Sequence, residues 1–406
     1  MRSISGQFFW VSGGRFMGAL LQAVTLALFA RVATPALFGV VASLTGIFLL
    51  MHALTDLGVT SHMTAVRASD PASGVVSAAL RFNLWSSIVM AAVLTVLAVA
   101  WSAVSGVEAG ALVGLAVATS IDRYADLRAT LALADGNAKI FVGNMNLRRL
   151  VTLAAFLASI AVGAPALAGL AIATVIGSLA AGLSAFALTR AVELGSDPVP
   201  LGALIRGSWP YWLNTVGTQI RNLDVAVVTA AGGPLASGFY AAASRLTSPF
   251  RIIPTAMATV LLPAVSRLRA QGRGLAPAAK PAALVVFTTS AVYAFGVLIA
   301  PWVVTLVLGA AYAGAVVPVQ IVMASMPFAA VASVLGSILQ GVGQTRIVGS
   351  AAIAMSSVCL VMAFVGASLS GAAGAAMGLG FSYLVQAGIL SYGMIRWRRR
   401  EKRGRS

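Results

Sequence analysis

The chemistry open to this chain rests on a few polar residues set inside long apolar runs. Arg15 and Gln22 interrupt the first run, and His52 and Asp56 the second. Asn214, Arg221 and Asp224 interrupt a later one, followed by Arg245 and Arg251. Between these groups lies SIDRYADLRAT, which packs Asp122, Arg123, Asp126 and Arg128 into one short stretch. A charge at mid-bilayer costs about 2.5–3.5 kcal/mol on insertion scales, so such residues face a wet cavity or a partner. Arginine offers a planar fork that donates two hydrogen bonds at once to phosphate, and a carboxylate offers a seat for a proton or cation.

Local pairing is the competing explanation for each. Arg221 and Asp224 stand at i, i+3 on a helix, and Asp56 is one turn from His52. Asp122 and Asp126 form a like-charged i, i+4 pair that needs a cation from elsewhere, with Arg148 or Arg149 within reach; a structural network in the first half is one reading of this group and a coupling-ion site the other. Pairing and cavity lining stay open together for Arg221 and His52.

Catalysis has little to work with. The only histidines are His52 and His62, there is no Walker lysine motif, and no His/Cys cluster has metal-ligand spacing. The single cysteine, Cys359, rules out an intrachain disulfide. The loops opposite the basic side are too short to carry the acids or arginines of a glycan polymerase or ligase. No enzyme, cofactor or metal is expected.

The elements that must position these residues are membrane helices. Of 406 residues, 59% are hydrophobic and 9% charged, with a mean hydropathy of +0.95. Soluble domains run near 25% charged. Windows and breakers place about twelve spans, near 8–32, 36–66, 76–103, 109–134, 139–162 and 165–190, then 205–231, 235–265, 281–307, 314–340, 346–369 and 371–396. The first run continues as a span without a small-residue cleavage site, which reads as an uncleaved helix rather than a signal peptide. The net charge of +17 does not point to nucleic acid. Seven of the 27 basic residues follow Ile395, and others, such as Arg67, Lys139, Arg190, Arg206, Arg267, Lys280 and Arg346, fall in alternate loops. That is the positive-inside pattern, with both termini cytoplasmic and the tail near anionic headgroups.

The chain also repeats itself. WVSGGRFMGALLQAVTLALFARVATPALFG from Trp10 aligns without a gap on WPYWLNTVGTQIRNLDVAVVTAAGGPLASG from Trp209, so that Pro35 meets Pro234 and Gly39 meets Gly238. GNAKIFVG from Gly136 is echoed by GQTRIVG from Gly343. One unit used twice, with six helices each time, predicts parallel halves around a central cleft. The expected domains are an N-lobe at 1–192, a linker at 193–204, a C-lobe at 205–396 and a basic tail at 397–406. Helical spacing puts Asn214, Gly217, Arg221 and Asp224 on one stripe, echoed by Arg15, Gly18, Gln22 and Thr25. Thr45, His52 and Asp56 share a face, answered by Ser244, Arg251 and Thr255, with Arg245 bordering it.

FARVATPALFGVVASLTGIFLLMHALTDLGV resembles the first hairpin of Wzx-type oligosaccharide flippases, of the polysaccharide transporter family. IRNLDVAVVTAAGGPLASGFYAAASRLTSPFRIIPTAMATVLLPAVSRL is similar to that family's seventh and eighth helices. The resemblance implies an all-α polytopic fold of the multidrug, oligosaccharide-lipid and polysaccharide exporter superfamily, with two six-helix lobes about a V-shaped cleft. It implies a substrate, undecaprenyl-pyrophosphate-linked oligosaccharide, flipped across the cytoplasmic (inner) membrane for exopolysaccharide, capsule or O-antigen biosynthesis, and alternating access of the two lobes is the expected mechanism. A cationic cleft would map by location onto Arg15, Arg221, Arg245 and Arg251, joined by Gln22, His52 and Asn214. Asp56, Asp126 and Asp224 are the candidates if H+ or Na+ drives transport, and glycan polymerase or assembly proteins are candidate partners. A cation-coupled drug exporter of the same superfamily is the alternative, and a non-transporting scaffold of a glycan-assembly complex a third.

Overall fold

A computed structural model describes residues 4–70, 73–190, 199–271 and 275–403. Among them the chain forms thirteen α-helices and three short 3-10 turns. Among the described residues nine helical stretches are long and apolar enough to cross a membrane. The protein is an all-helical, multi-span membrane protein.

The helix bounds carry the sequence's punctuation. α1 (Ile4–Val32) is followed by α2 (Pro35–Asp56), which opens on the proline that fixes its first turn. α2 ends at Leu57 and Gly58, with φ of 51° and 75°, and the chain continues as α3 (Val59–Ser69). The single expected span 36–66 is therefore two helices about a left-handed break. α4 (Val75–Ser105), α5 (Ala109–Ala134), α6 (Ala138–Ala161) and α7 (Ala166–Thr189) follow the expected spans within a few residues. α5 is absent from the nine candidate spans because its four charges sit in one window. The linker expected at 193–204 lies, up to residue 198, outside the described residues.

Contacts divide the chain into two compact units, Met1–Ala33 with Leu44–Asn222, and Thr34–Ser43 with Leu223–Ser406. In the first unit α1 packs on α6, α6 on α7, and α5 between α4 and α7. Small residues set the spacing: Ala125, Ala181 and Ala185 form one buried cluster, and a Cβ on Gly177 would stand 2.8 Å from the Arg148 carbonyl oxygen. α8 (Leu201–Gln219) closes this unit against α2 and α3. The Trp212 indole donates to the Leu54 carbonyl at 2.9 Å, and Gly58 lies against Ser208 and Trp212, leaving no room for a Cβ.

The second unit holds α9 (Asp224–Thr247), α10 (Ile252–Ala270), α11 (Ala276–Leu308), α12 (Val316–Gly341) and α13 (Thr345–Arg403), with α12 at the centre. Its core includes Leu261, Val265, Val334, Leu339 and Leu390. α9 turns sharply at Gly233 (φ 81°, ψ 173°) and resumes at Pro234, where the sequence marks a joint. α13 does the same at Ser370 and Gly371 (φ 61°), and its two arms pack backbone to backbone, a Cβ on Gly378 falling 2.5 Å from Met362.

The opening segment of α2 lies on α9 in this second unit, and here repeat-related residues meet each other. A Cβ on Gly39 would stand 2.6 Å from the Gly238 nitrogen, and one on Gly238 would stand 3.3 Å from Pro35 Cα. Ser43 Oγ and Thr229 Oγ1 are 2.5 Å apart beside this crossing. Glycine at both equivalent positions permits an approach that any side chain would prevent.

Candidate functional site

In the first unit the end of α2 and the middle of α5 build a polar knot. Arg123 Nη1 donates to Thr55 Oγ1 at 2.5 Å, and its Nη2 lies 3.8 Å from Asp56 Oδ1. Asp56 accepts the Thr60 hydroxyl at 2.7 Å across the helix break. His52 is 8% exposed, and neither ring nitrogen has a hydrogen-bond partner among the described residues. Asp56 therefore turns to Arg123 and Thr60, and the one-turn pairing of His52 with Asp56 does not form.

The acidic pair on α5 obtains its cation from α6. Arg148 Nη1 stands 3.1 Å from both Asp122 Oδ1 and Asp126 Oδ1. Asp126 is the more open of the two, at 56% of its side chain against 30% for Asp122. Arg128 donates to Thr189 at 3.0 Å and lies over the Tyr124 and Phe186 rings, while Arg67 and Asp135 pair at 2.6 Å. The charges of the fourth expected span are thus tied into the bundle.

Arg148 is needed there, and Arg149 faces elsewhere. Arg149 Nη1 lies 2.9 Å and Asn146 Oδ1 2.8 Å from where a Gly18 Cβ would stand, which puts both against the polar stripe of α1. Arg15 and Gln22 on that stripe are exposed, and Thr25 is buried with its hydroxyl on the Leu21 carbonyl. Arg15 lies 6.0 Å from the Phe141 ring centroid and has no ion-pair or hydrogen-bond partner among the described residues. Arg149 is the cation that the sequence reading did not place beside Arg15. The signal available was Gly18 itself, a gap where a neighbouring helix can lay a long side chain.

The stripe expected on one continuous helix from Asn214 to Asp224 is interrupted. Residues Ile220–Leu223 form a 3-10 turn carrying a half-buried Arg221, so the 100° spacing does not run through it. The side chain of Asn214 lies outside the described residues. Asp224 opens α9, is 9% exposed, and accepts the Tyr240 hydroxyl at 3.0 Å and the Val225 N–H at 2.7 Å. A second 3-10 turn, Ser248–Arg251, likewise breaks the face expected from Ser244 to Thr255. Arg251 donates to the Tyr383 hydroxyl at 3.3 Å and stacks over that ring at 5.3 Å. Arg245 is half-buried, and its guanidinium has no hydrogen-bond or ion-pair partner among the described residues. Tyr240 and Tyr383, each buried, are polar partners that sequence reasoning missed; their signal was a hydroxyl inside an apolar run.

Each unit therefore carries arginines inside long helices, and those seen tied to carboxylates among the described residues, such as Arg123 and Arg148, lie in the first unit. Among the described residues no group of three or more His, Cys, Asp or Glu could hold a metal.

Comparison with known proteins agrees with this frame. Residues 28–317 match the polysaccharide biosynthesis protein family. No curated protein matches significantly. Among solved structures, an inward-facing multidrug resistance MATE family transporter of the MOP superfamily aligns over 99% of this chain and 96% of its own, at 16% identity and a TM-score of 0.69. The lipid II flippase MurJ, in an inward closed conformation, aligns over 95% and 87%, at 14% identity and a TM-score of 0.70. A MOP superfamily transporter from Pyrococcus furiosus, described by a binding pocket of reverse polarity, aligns over 96% and 95%, at 17% identity and a TM-score of 0.65. These identities speak to fold alone. The chain belongs to the polysaccharide biosynthesis protein family and has the fold of the MOP-superfamily transporters.

Proposed function

We propose that the protein is a lipid-linked oligosaccharide flippase, moving an undecaprenyl-pyrophosphate-linked glycan from the cytoplasmic to the outer leaflet for surface polysaccharide synthesis. The observation that supports this most is that the guanidinia of Arg15 and Arg245 have no hydrogen-bond or ion-pair partner among the described residues. Each lies in a stretch apolar enough to span the membrane. Moving a pyrophosphate through bare hydrocarbon costs on the order of tens of kcal/mol, so a flippase must offer cations and hydrogen-bond donors along the route. An arginine already bound to a carboxylate has little to offer a phosphate. One with no such partner can take it up and let it go.

In this reading the continuous helices divide at Gly233 and Gly371, the pieces on either side of the short breaks count as one passage each, and twelve spans result. They form two parallel six-helix lobes about a cationic cleft, which opens to each side in turn while the lipid tail stays in the bilayer. The cytoplasmic membrane is the site, with both termini inside. Arg15, Arg149, Arg221, Arg245 and Arg251 supply the positive surface, with Gln22, His52 and Asn214 beside them. Asp224 is the first candidate for proton or sodium coupling, because its partners are a hydroxyl and an amide rather than a cation. Asp56 and Asp126, each near an arginine, rank behind it.

The test is an Arg15→Ala, Arg245→Ala double variant made at normal abundance. Export of surface glycan should fall at least about tenfold, the equivalent of about 1.4 kcal/mol lost from substrate binding. Full export by the double variant would remove the cationic route.

A further inference from the structure

The second unit carries a groove whose lining includes none of the arginines proposed for the route. Between α11, α12 and the end of α13 runs a groove of about 460 Å³, lined by Ala283, Val286, Phe287, Leu335 and Met394 and ending at Arg398. The hydroxyl of Ser290, also in the lining, donates to the Val286 carbonyl at 2.7 Å, so it presents no free donor. Phe287 and Leu284 remain 72% and 62% exposed along this flank. An apolar groove with a cation at one end has the polarity of a lipid.

Its dimensions and charge select which lipid. Along α11 the lining extends from Leu275 to Ser290, about 22 Å at 1.5 Å per residue. That matches one leaflet of a bilayer whose core and headgroup regions together span about 40–45 Å. The charged end holds Arg398; Lys280, next in sequence to the lining residue Ala279, and Arg396 and Arg399, beside Arg398 in sequence, are exposed, and all fall on the side the sequence marks as basic. We propose that this groove is a binding site for an anionic phospholipid of the cytoplasmic leaflet, with one acyl chain along α11 and α12 and the phosphate at Arg398 and Lys280. Zwitterionic lipid fits the apolar part equally but brings a cation of its own to the basic end, so selectivity comes from the headgroup.

The full chain in phosphatidylcholine nanodiscs, doped with phosphatidylglycerol bearing a photoreactive acyl chain, tests the site by mapping cross-links. Labels should gather on the groove-lining residues of α11 and α12, at about tenfold the yield of the matching phosphatidylcholine probe. That corresponds to the order of 1 kcal/mol expected from each basic residue near the surface. Ala283 is exposed, so Ala283→Trp can fill the groove without disturbing the core and should abolish the labelling. Lys280→Gln with Arg398→Gln should equalise the two probes while leaving the chain labelled in place. Equal labelling by both probes in the unaltered protein would overturn the proposal. So would labelling no denser here than on the exposed face of α4 around Val89 and Val96, or stronger labelling by a photoreactive polyprenyl phosphate, which would assign the groove to the carrier's tail. None of these readouts requires transport, so the result stands apart from the flippase assignment.

Discussion

Replacing Arg148 by methionine removes the cation shared by Asp122 and Asp126 while keeping most of the side-chain volume. The cost follows from burial. Removing one partner of a buried ion pair costs about 3–5 kcal/mol, whereas an exposed pair is worth about 0–1 kcal/mol. Arg148 is 16% exposed, Asp122 30% and Asp126 56%. The more buried Asp122 ion pair therefore carries most of the effect and the exposed Asp126 hydrogen bond little, giving about 2–3 kcal/mol for Arg148→Met. Neutralising the stranded acid should recover it unequally. Arg148→Met with Asp122→Asn should return to within about 1 kcal/mol of the parent, and Arg148→Met with Asp126→Asn should stay low. Equilibrium unfolding in mixed micelles, followed by tryptophan fluorescence, reads all four proteins. A better rescue by Asp126→Asn, or a loss below about 0.5 kcal/mol for Arg148→Met alone, would refute the burial argument. Transport retained by the Asp122-rescued variant would further mark the cluster as structural.

Other perturbations have distinct signatures. Gly238→Leu forces a side chain into the backbone at Pro35 and should destabilise by about 1–3 kcal/mol or more, while Gly349→Ala, in open space on a helix, should be neutral or stabilising by thermal denaturation. Tyr240→Phe leaves Asp224 without its hydroxyl donor and should cost about 1.5–3 kcal/mol in the same assay, as expected for a hydrogen bond to a charged group. Arg245→Ala removes no hydrogen bond or ion pair seen among the described residues and should leave stability within about 0.5 kcal/mol of the parent, yet lower glycan export in cells.

Much of the helix plan was legible because apolar length and punctuation are local properties. Gly233 with Pro234, and Gly371, fall where the sequence marks joints, and α5 starts and ends on the expected residues. The family resemblance read from the hairpin around Pro35 and from Ile220–Leu268 is matched by the family assignment over residues 28–317. The site was less legible. Helical spacing cannot foresee the 3-10 turns at Ile220–Leu223 and Ser248–Arg251, which shift every side chain beyond them. Nor can spacing within one helix decide between Arg148 and Arg149, since the choice depends on which neighbour each faces. The partners of Asp224 and Arg251 are tyrosines 16 and 132 residues away, beyond the reach of any local pattern.

The central claim is tested most directly with purified protein in liposomes carrying a polyprenyl-pyrophosphate oligosaccharide, by following its exposure to a glycan-cleaving enzyme outside, with and without an imposed proton or sodium gradient. The account predicts exposure that depends on the protein and is lost in the Arg15→Ala, Arg245→Ala variant. Exposure no faster than in protein-free liposomes, with folded protein and several glycans tried, would contradict it.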